Sequence, residues 1–245
     1  MSLARFPALL VALALAGCDA ALGGPSSAAP VIQILLVAGD SVQTGKVEWR
    51  FPADSPVNFT SRPVDSTLVQ LLLVLPGGST VPFTPRREQP GGGFIGRYAA
   101  SVVATYGATY QLQGSVAGRV VAATTTVPDS LRILEPARDT VTISAASCSF
   151  YCSVPFHWVA AGADQYQYLQ VKSGGFVGAG STADTAGVLN LFQARPGADT
   201  MALVVYALEP QAAAFLLPET PKGSITGLFG LFGAASRAQR VLVWQ

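Results

Sequence analysis

One histidine and three cysteines are the side chains of this sequence best suited to acid–base, nucleophilic or metal chemistry. His157 is the only histidine, so any histidine-dependent mechanism would have to use it. Cys148 and Cys152 lie nearby in sequence, and thiolate and imidazole groups are common zinc ligands. A fourth ligand is not evident, and His157 stands between two aromatic residues in a predicted strand, where a solvated or edge position is typical. The pattern therefore predicts no metal ion, no cofactor and no catalytic residue.

Carboxylates and glycines offer two further kinds of site. Asp139, Asp164 and Asp184 stand beside turn signals, where an aspartate commonly bonds its own backbone. None is paired closely enough in sequence to suggest a glycosidase dyad, although pairing through the fold stays open. Residues Pro90–Gly93 are rich in glycine but lack the lysine and the helix of a phosphate loop, so they predict a hairpin loop.

The overall composition limits the possible partners. The 245 residues include 15 Lys and Arg against 14 Asp and Glu, so there is no basic excess with which to hold the phosphates of a nucleic acid. Hydrophobic residues make up 50% and charged residues 12% of the chain, which is too apolar for a disordered protein. The chain is expected to fold and not to bind nucleic acid.

The N-terminal residues carry an export signal that ends at a cysteine. Arg5 precedes an apolar run, Phe6–Ala16, which has the length of a signal-peptide core, whereas a membrane-spanning helix needs about 20 residues. Leu15–Cys18 resembles the lipobox of bacterial lipoproteins, in which the cysteine sulfur receives a diacylglycerol and the preceding signal is removed. We therefore expect a signal peptide at residues 1–17 and a lipidated Cys18 that binds the membrane. An ordinary cleaved signal followed by a fortuitous cysteine is the alternative.

Two features after Cys18 bear on its surroundings. Residues 18–30 continue as a Gly-, Ser-, Pro- and Ala-rich stretch, a composition typical of a flexible tether. Asp19 resembles the inner-membrane retention signal of enterobacterial lipoproteins, a rule that does not transfer between all lineages. The sequence thus predicts a cell-envelope protein and leaves the choice of membrane open.

Export also bears on the oxidation state of Cys148 and Cys152. Outside the cytoplasm thiols oxidise, so the two are predicted to form a disulfide. Four residues of extended strand would separate their Cα atoms by about 13 Å, whereas a disulfide needs roughly 4.4 to 6.8 Å. The three residues between them must therefore turn back or coil.

From residue 31 onward, short apolar or alternating runs separated by turn residues predict an all-β fold. The clearest hairpin turns near residues 117–118, and its side chains Tyr110, Leu112, Val120, Ala122 and Thr124 repeat at period two, which indicates one packed and one wet face. The predicted strands are Val31–Val37, Gly45–Phe51, Thr67–Leu75, Gly96–Val103, Thr109–Ser115, Arg119–Thr126, Leu131–Leu134, Thr140–Ser144, Pro155–Val159, Gln165–Ser173, Gly187–Leu191, Met201–Leu208 and Ala238–Trp244.

The run Val127–Ser130 interrupts this series and suggests a domain boundary. Each half contains six or seven short strands, which suits two tandem β-sandwich domains of the immunoglobulin or fibronectin type, at residues 31–128 and 129–245.

Two stretches, Gly107–Pro128 and Ile225–Ala234, resemble an uncharacterised family of bacterial envelope lipoproteins, a domain of unknown function often encoded near TonB-dependent transport systems. Gly107–Leu112 with Val120–Pro128 is similar to that family's pattern "G-x-T-Y-x-L … A-x-T-x-V-P", and Ile225–Ala234 is similar to its closing motif "N-I-x-G-G-x-G-x-F-G". The resemblance implies a lipid anchor, sandwich-like domains, attachment to the outer membrane and a TonB-dependent receptor or another envelope protein as partner. It supplies no catalytic residue.

The second half also resembles a fibronectin type III module. Phe156–Trp158, followed by Ala163–Val171, is similar to the module's "W … A-x-x-Y-x-V" strands. The resemblance implies that Trp158 and one of the two tyrosines, Tyr166 or Tyr168, fill the core of this half.

The apolar stretch from Ile225 to Ala235 is spaced by glycines, and two roles for it stay open. It could be a loop that inserts into a membrane or docks on a partner, or a buried loop and strand whose glycines allow close backbone approach. The residues concerned are Ile225, Gly227, Phe229, Gly230, Phe232 and Gly233.

These features predict a non-enzymatic, lipid-anchored envelope protein that binds a partner. The alternative is a hydrolytic or carbohydrate-active envelope enzyme whose site forms only in three dimensions. A groove lined by convergent carboxylates would favour the enzyme, and a shallow apolar patch would favour docking.

Overall fold

The computed structural model describes residues 28–51, 61–86, 95–138, 140–141, 151–172, 175–192, 200–217 and 222–244. The predicted all-β class is confirmed, because strands dominate the described chain. The strands are β1 Ala29–Val37, β2 Gln43–Arg50, β3 Ser61–Pro63, β4 Val69–Val74, β5 Thr80–Pro82, β6 Thr84–Pro85, β7 Arg97–Ala100, β8 Thr109–Val116, β9 Arg119–Thr126, β10 Ile133–Glu135, β11 Thr140–Val141, β12 Tyr151–Trp158, β13 Gln165–Lys172, β14 Gly175–Thr182, β15 Ala186–Phe192, β16 Thr200–Leu208 and β17 Gly230–Trp244.

Two short helical elements accompany the strands. A 3-10 turn covers Ser66–Leu68, and one α-helix, α1, covers Pro210–Leu216. Both are too short to cross a membrane, and the described part of the chain contains no helix that is long and apolar enough to do so.

The strands form one large sheet and two smaller ones that cover it. The large sheet, here the central sheet, has the order β14-β13-β16-β17-β1-β2-β7-β6, with β3 beside β2 and β11 beside β17. The first cover sheet has the order β5-β4-β8-β9, and the second has the order β10-β12-β15. Each cover sheet packs on a different part of the central sheet, so the chain forms two β-sandwiches.

The first sandwich encloses a core of alternating side chains from β1, β2 and β7 on one side and β4, β8 and β9 on the other. Alternation arises because successive residues of a strand point to opposite faces. Burial of each large side chain contributes about 1.5–3 kcal/mol. The largest fully buried members are Ile32, Ile34, Leu36, Leu71, Leu73, Tyr98, Tyr110, Leu112 and Phe232.

The second sandwich is closed by an aromatic cluster. Trp158 is 2% exposed and Tyr166 is 1% exposed, as the fibronectin resemblance implied. The ring centroid of Trp158 lies 5.3 Å from that of Phe156 and 5.3 Å from that of Tyr166. Phe156 and Trp158 project from β12 of the second cover sheet and pack against Tyr166 of β13 and the aliphatic side chains of β16.

One strand belongs to both sandwiches. The first six residues of β17 pair in parallel with β1, from Ile32 opposite Gly230 to Val37 opposite Ala235. Beyond Ala235, β17 continues antiparallel to β16 as far as Val243. The first core accordingly includes Ile225, Phe232 and Ala234 from the C-terminal part of the chain. The boundary near residue 128 stays a prediction.

Several predicted elements differ from the structure in instructive ways. β17 begins at Gly230 and not at Ala238, because the glycine-spaced stretch continues directly into the strand. β14 was missed because its glycines, at 175, 178 and 180, weaken the strand pattern. The helix α1 was missed as well, although Pro210 at its first position is a common start signal.

The hairpin β8–β9 is confirmed, with Ala117 and Gly118 at positive φ of 49° and 78°, as a type I′ turn requires. The alternating residues of the two strands do not share one face, contrary to what the sequence pattern suggests for Tyr110, Leu112, Val120, Ala122 and Thr124. A two-residue turn places even-numbered residues of β8 opposite odd-numbered residues of β9, so the partner of buried Tyr110 is Thr125. The side chains that face solvent are Val120, Ala122 and Thr124.

Candidate functional site

The glycine-spaced stretch lies between the two sheets of the first sandwich. Ser224 fixes it to β17, since its hydroxyl accepts the Phe232 N–H at 2.9 Å and donates to the Phe232 carbonyl at 3.0 Å. Thr226 bridges to Ala122 of β9 through two backbone hydrogen bonds of 2.8 and 3.4 Å. The segment therefore ties the central sheet to the first cover sheet.

The side chains of this stretch divide between core and solvent. Ile225 and Phe232 are buried, whereas Phe229 is 50% exposed. The Phe229 ring also lies 5.6 Å from that of Phe215 on α1. The stretch thus combines packing contacts with one exposed aromatic side chain, and a docking role for Phe229 stays a prediction.

Three glycines of the stretch lie where a Cβ atom has no room. A Cβ on Gly227, which has φ of +92°, would collide with the carbonyl oxygen of Val120. A Cβ on Gly230 would collide with the carbonyl oxygen of Ile32, and one on Gly233 would lie 2.9 Å from Cβ of Ala212. These positions therefore allow close backbone approach of Gly227 to β9, of Gly230 to β1 and of Gly233 to α1.

The contact between the two sandwiches, here the junction, is held by polar as well as strand contacts. The Arg237 guanidinium on β17 binds the Asp40 carboxylate in the β1–β2 turn at 2.7 Å. The Asp129 N–H donates to the Ala161 carbonyl at 3.1 Å. Both ion-pair side chains are about one-third exposed, so the pair contributes little, on the order of 0–1 kcal/mol. The shared strand is the main connection.

The helix α1 crosses this junction. It follows β16 of the second sandwich, yet it packs on β1 and β17 through Ala212, Phe215, Leu231 and Leu35. Glu209 precedes it, and its carboxylate oxygen Oε2 accepts the Ala212 N–H at 3.1 Å as an N-cap.

A cleft of about 490 Å³ opens at the junction. It brings together residues that the sequence did not connect, since its walls come from the end of β9, the Pro128–Asp129 link, the Ala161–Ala163 turn and the start of α1. Its polar lining includes two carboxylates, the exposed Asp129 and the buried Glu209, with the hydroxyl of Thr125. In the sequence, Glu209-Pro210 could have predicted the start of α1 beside this cleft, because an acidic cap followed by a proline commonly begins a helix.

Burial shifts the ionisation of Glu209. Its side chain is 7% exposed, and loss of solvent raises the pKa of the carboxyl above the usual 4.5, opposed by the N–H groups that it accepts and by the Thr125 hydroxyl. The folded state therefore binds this proton more tightly than the unfolded state. As pH rises from 4.5 through the raised pKa, Glu209 ionises and its contribution to stability is lost.

We expect Glu209→Gln to remove this pH dependence while keeping an acceptor for the Ala212 N–H. Unfolding by urea, followed from pH 4 to pH 8, should show that the wild-type protein loses stability relative to the variant as pH rises. Asp184→Asn, at an exposed turn, is the control. If the difference in stability between wild type and Glu209→Gln stays constant from pH 4 to pH 8, the Glu209 carboxyl is not desolvated.

His157 does not reach the junction cleft. It lies on β12, and its Nε2 is 3.8 Å from Glu135 Oε2, with 48% of the His157 side chain and 63% of the Glu135 side chain exposed. Trp158 points the opposite way into the core, as alternation requires. In the described part of the chain, no three His, Cys, Asp or Glu side chains are grouped as a metal site would need.

The predicted cysteine sites lie outside the described residues. Cys18 and Cys148 are not among them, and only the backbone of Cys152 is described, in β12 opposite Leu191. Lipidation at Cys18 and a Cys148–Cys152 disulfide stay predictions.

Comparison with known proteins identifies no family. No protein-family model matches the chain, and no curated protein matches it. Among solved structures, it is similar to the fibronectin(III)-like modules of Clostridium thermocellum CbhA at 11% identity and a TM-score of 0.28, over 88% of this chain and 94% of that one. It is also similar to three N-terminal domains of the outer capsid protein Hoc of bacteriophage RB49, at 11% identity and a TM-score of 0.26, over 89% of this chain and 59% of that one. At these values the similarity says nothing about ligand or activity.

Proposed function

We propose that this chain is a lipid-anchored, non-enzymatic protein of the bacterial cell envelope that binds a partner. The observation that carries the proposal is topological: the residue expected to bear the lipid, Cys18, lies shortly before β1, and the strand order places the second sandwich at the opposite end of β1. A protein so attached holds one domain near the membrane and extends the other away from it.

The direction in which the second sandwich extends from the membrane follows from the parallel pairing of β1 and β17. β1 starts at Ala29, on the anchored side, and ends at Val37 opposite Ala235. β17 then continues through residues 236–244 within the second sandwich. With a rise of about 3.3 Å per residue, this continuation carries the second sandwich roughly 30 Å beyond the end of β1. The second sandwich is therefore the part presented to a partner.

Membership in the uncharacterised envelope lipoprotein family is part of this proposal. Its support is the order of the signal and the two motif regions along one chain, Gly107–Pro128 and Ile225–Ala234. The structure brings those regions together, since Thr226 bridges to Ala122. By the same resemblance, a TonB-dependent receptor or another envelope protein is the proposed partner and the outer membrane the proposed location. Asp19 favours the inner membrane as the alternative.

Hydrolysis at the junction cleft is the second candidate function. The observation in its favour is that Asp129 and Glu209 line one cleft and that burial raises the pKa of Glu209, as a general acid requires. Binding is the better-supported proposal because the Glu209 carboxylate already caps α1. Turnover of glycoside, ester or peptide substrates that disappears in Glu209→Gln would decide for the enzyme.

We expect Cys18→Ser to move the protein from the membrane to the soluble periplasmic fraction. The physical reason is that buried acyl methylenes contribute about 0.8 kcal/mol each, so several chains hold a protein on a bilayer almost permanently. Fractionation followed by immunoblotting measures the change, with Ala20→Ser as the matched control that should stay on the membrane. A Cys18→Ser protein that remains membrane-bound would contradict the proposal.

A further inference from the structure

One end of the first sandwich combines exposed apolar and basic side chains. This basal end is the end at which β1 begins, and three turns meet there: the hairpin turn at residues 117–118, the 3-10 turn Ser66–Leu68 and the turn Gly227–Phe229. The Ala117 N–H donates to the Leu68 carbonyl at 2.8 Å. Gly227 lies directly against Val120. The three turns are therefore joined through β9 and form one surface.

A large exposed apolar side chain lies in or directly beside each turn: Leu68 and Phe229 in their turns, and Val120 near the start of β9. Val120 is 78%, Phe229 50% and Leu68 48% exposed. A single exposed apolar residue on a soluble protein is ordinary, but three around the joined turns of one end are a feature of interaction surfaces.

Basic side chains flank these apolar residues. Arg119 is exposed next to Val120. Arg62 is exposed and lines the same groove as Leu68, a groove of about 600 Å³. Asp65 lies in that groove too, where its carboxylate accepts the Thr67 N–H at 2.9 Å as the cap of the 3-10 turn. Guanidinium groups around apolar side chains suit the headgroup region of an anionic bilayer, where the charges meet phosphates and the apolar groups reach the acyl boundary.

The length of chain before β1 indicates that the bilayer is what contacts this surface. Ala29 follows Cys18 by eleven residues, which can span at most about 40 Å whatever their conformation. A lipid on Cys18 would therefore keep the basal end close to the bilayer. Tethering of this kind raises the effective concentration of the bilayer at the basal end, so that even weak contacts between the two can form.

We propose that the basal end docks on the membrane that holds the anchor, with Leu68, Val120 and Phe229 in the interfacial region and Arg62 and Arg119 on lipid phosphates. This inference rests on the lipid anchor of the proposed function. Docking fixes the first sandwich upright, and because β17 is continuous, it also fixes the direction in which the second sandwich points.

The test uses the full-length lipidated protein in vesicles of phosphatidylethanolamine and phosphatidylglycerol that contain a phospholipid with a photoactivatable acyl chain. After illumination, peptide mapping should find lipid adducts at Leu68, Val120 and Phe229. Val188 and Val241, which are similarly exposed on the second sandwich, should carry none. Arg119→Gln should lower the adduct yield by up to about fivefold, the effect of one basic residue near an anionic surface. Arg132→Gln, at another exposed position, should leave it unchanged.

Intact mass of the same sample separates the two proposals. If Cys18 carries a diacylglycerol but adducts are absent from the basal end, or are equally frequent on the second sandwich, the docking inference is wrong and the anchor stands. If Cys18 is unmodified and the protein washes off the vesicles, the proposed function itself fails.

Discussion

Trp158→Ala is expected to destabilise the second sandwich by about 3–5 kcal/mol. Trp158 is 2% exposed and lies within ring-contact distance of Phe156 and Tyr166, so truncation removes buried apolar surface and leaves a cavity that rigid sheets cannot close. Chemical denaturation of the purified chain, followed by far-ultraviolet circular dichroism, measures the loss. Because such a loss approaches the stability of an ordinary domain, the second sandwich of the variant could unfold in water.

Two further substitutions make the Trp158 result interpretable. Trp158→Phe should cost less, about 1.5 kcal/mol, because it keeps a ring and removes an indole N–H for which the described residues offer no acceptor. Val188→Ala, at a 44% exposed position of the same sandwich, should be nearly neutral. A Trp158→Ala variant within about 1 kcal/mol of wild type would contradict the burial of this side chain.

Gly230→Val is expected to disrupt the junction between β1 and β17, at a cost of about 3 kcal/mol. The reason is steric: a Cβ atom there would collide with the Ile32 carbonyl oxygen and lie 2.9 Å from the Ile32 nitrogen, so the two strands would have to separate. Ile32 and Phe232 would lose packing as a result. Thermal unfolding should show a lower transition temperature. Because β17 belongs to both sandwiches, the unfolding transitions of both should shift.

Gly77→Val is the matched control for that substitution. Gly77 lies in a turn where nothing approaches within 4 Å of an added Cβ, so the protein should keep its stability. If Gly230→Val is as stable as Gly77→Val, the close approach of β17 to β1 does not exist in solution.

The parts of the fold that sequence predicts well are those governed by local chemistry. The hairpin β8–β9 has a short turn with glycine at positive φ between alternating runs, and the buried Trp158 lies in an apolar strand. Both patterns result from period-two alternation, which a single strand reveals on its own.

The parts that sequence missed depend on contacts between distant residues. The continuation of β17 through both sandwiches requires pairing of Gly230–Ala235 with β1, almost two hundred residues earlier in the chain. No local pattern specifies such a partner. The burial of Glu209 is similar, since the cleft around it is assembled from four separate segments. The Glu-Pro start signal could have located α1 but not what packs against it.

The most direct test of the lipid anchor is the intact mass of the protein extracted from membranes of cells that express the full chain. We expect a chain that begins at Cys18 and carries the added mass of a diacylglycerol on the sulfur. A membrane-extracted protein with an unmodified Cys18, or a chain cleaved elsewhere, would contradict the lipid anchor and with it the orientation of the two sandwiches relative to the membrane.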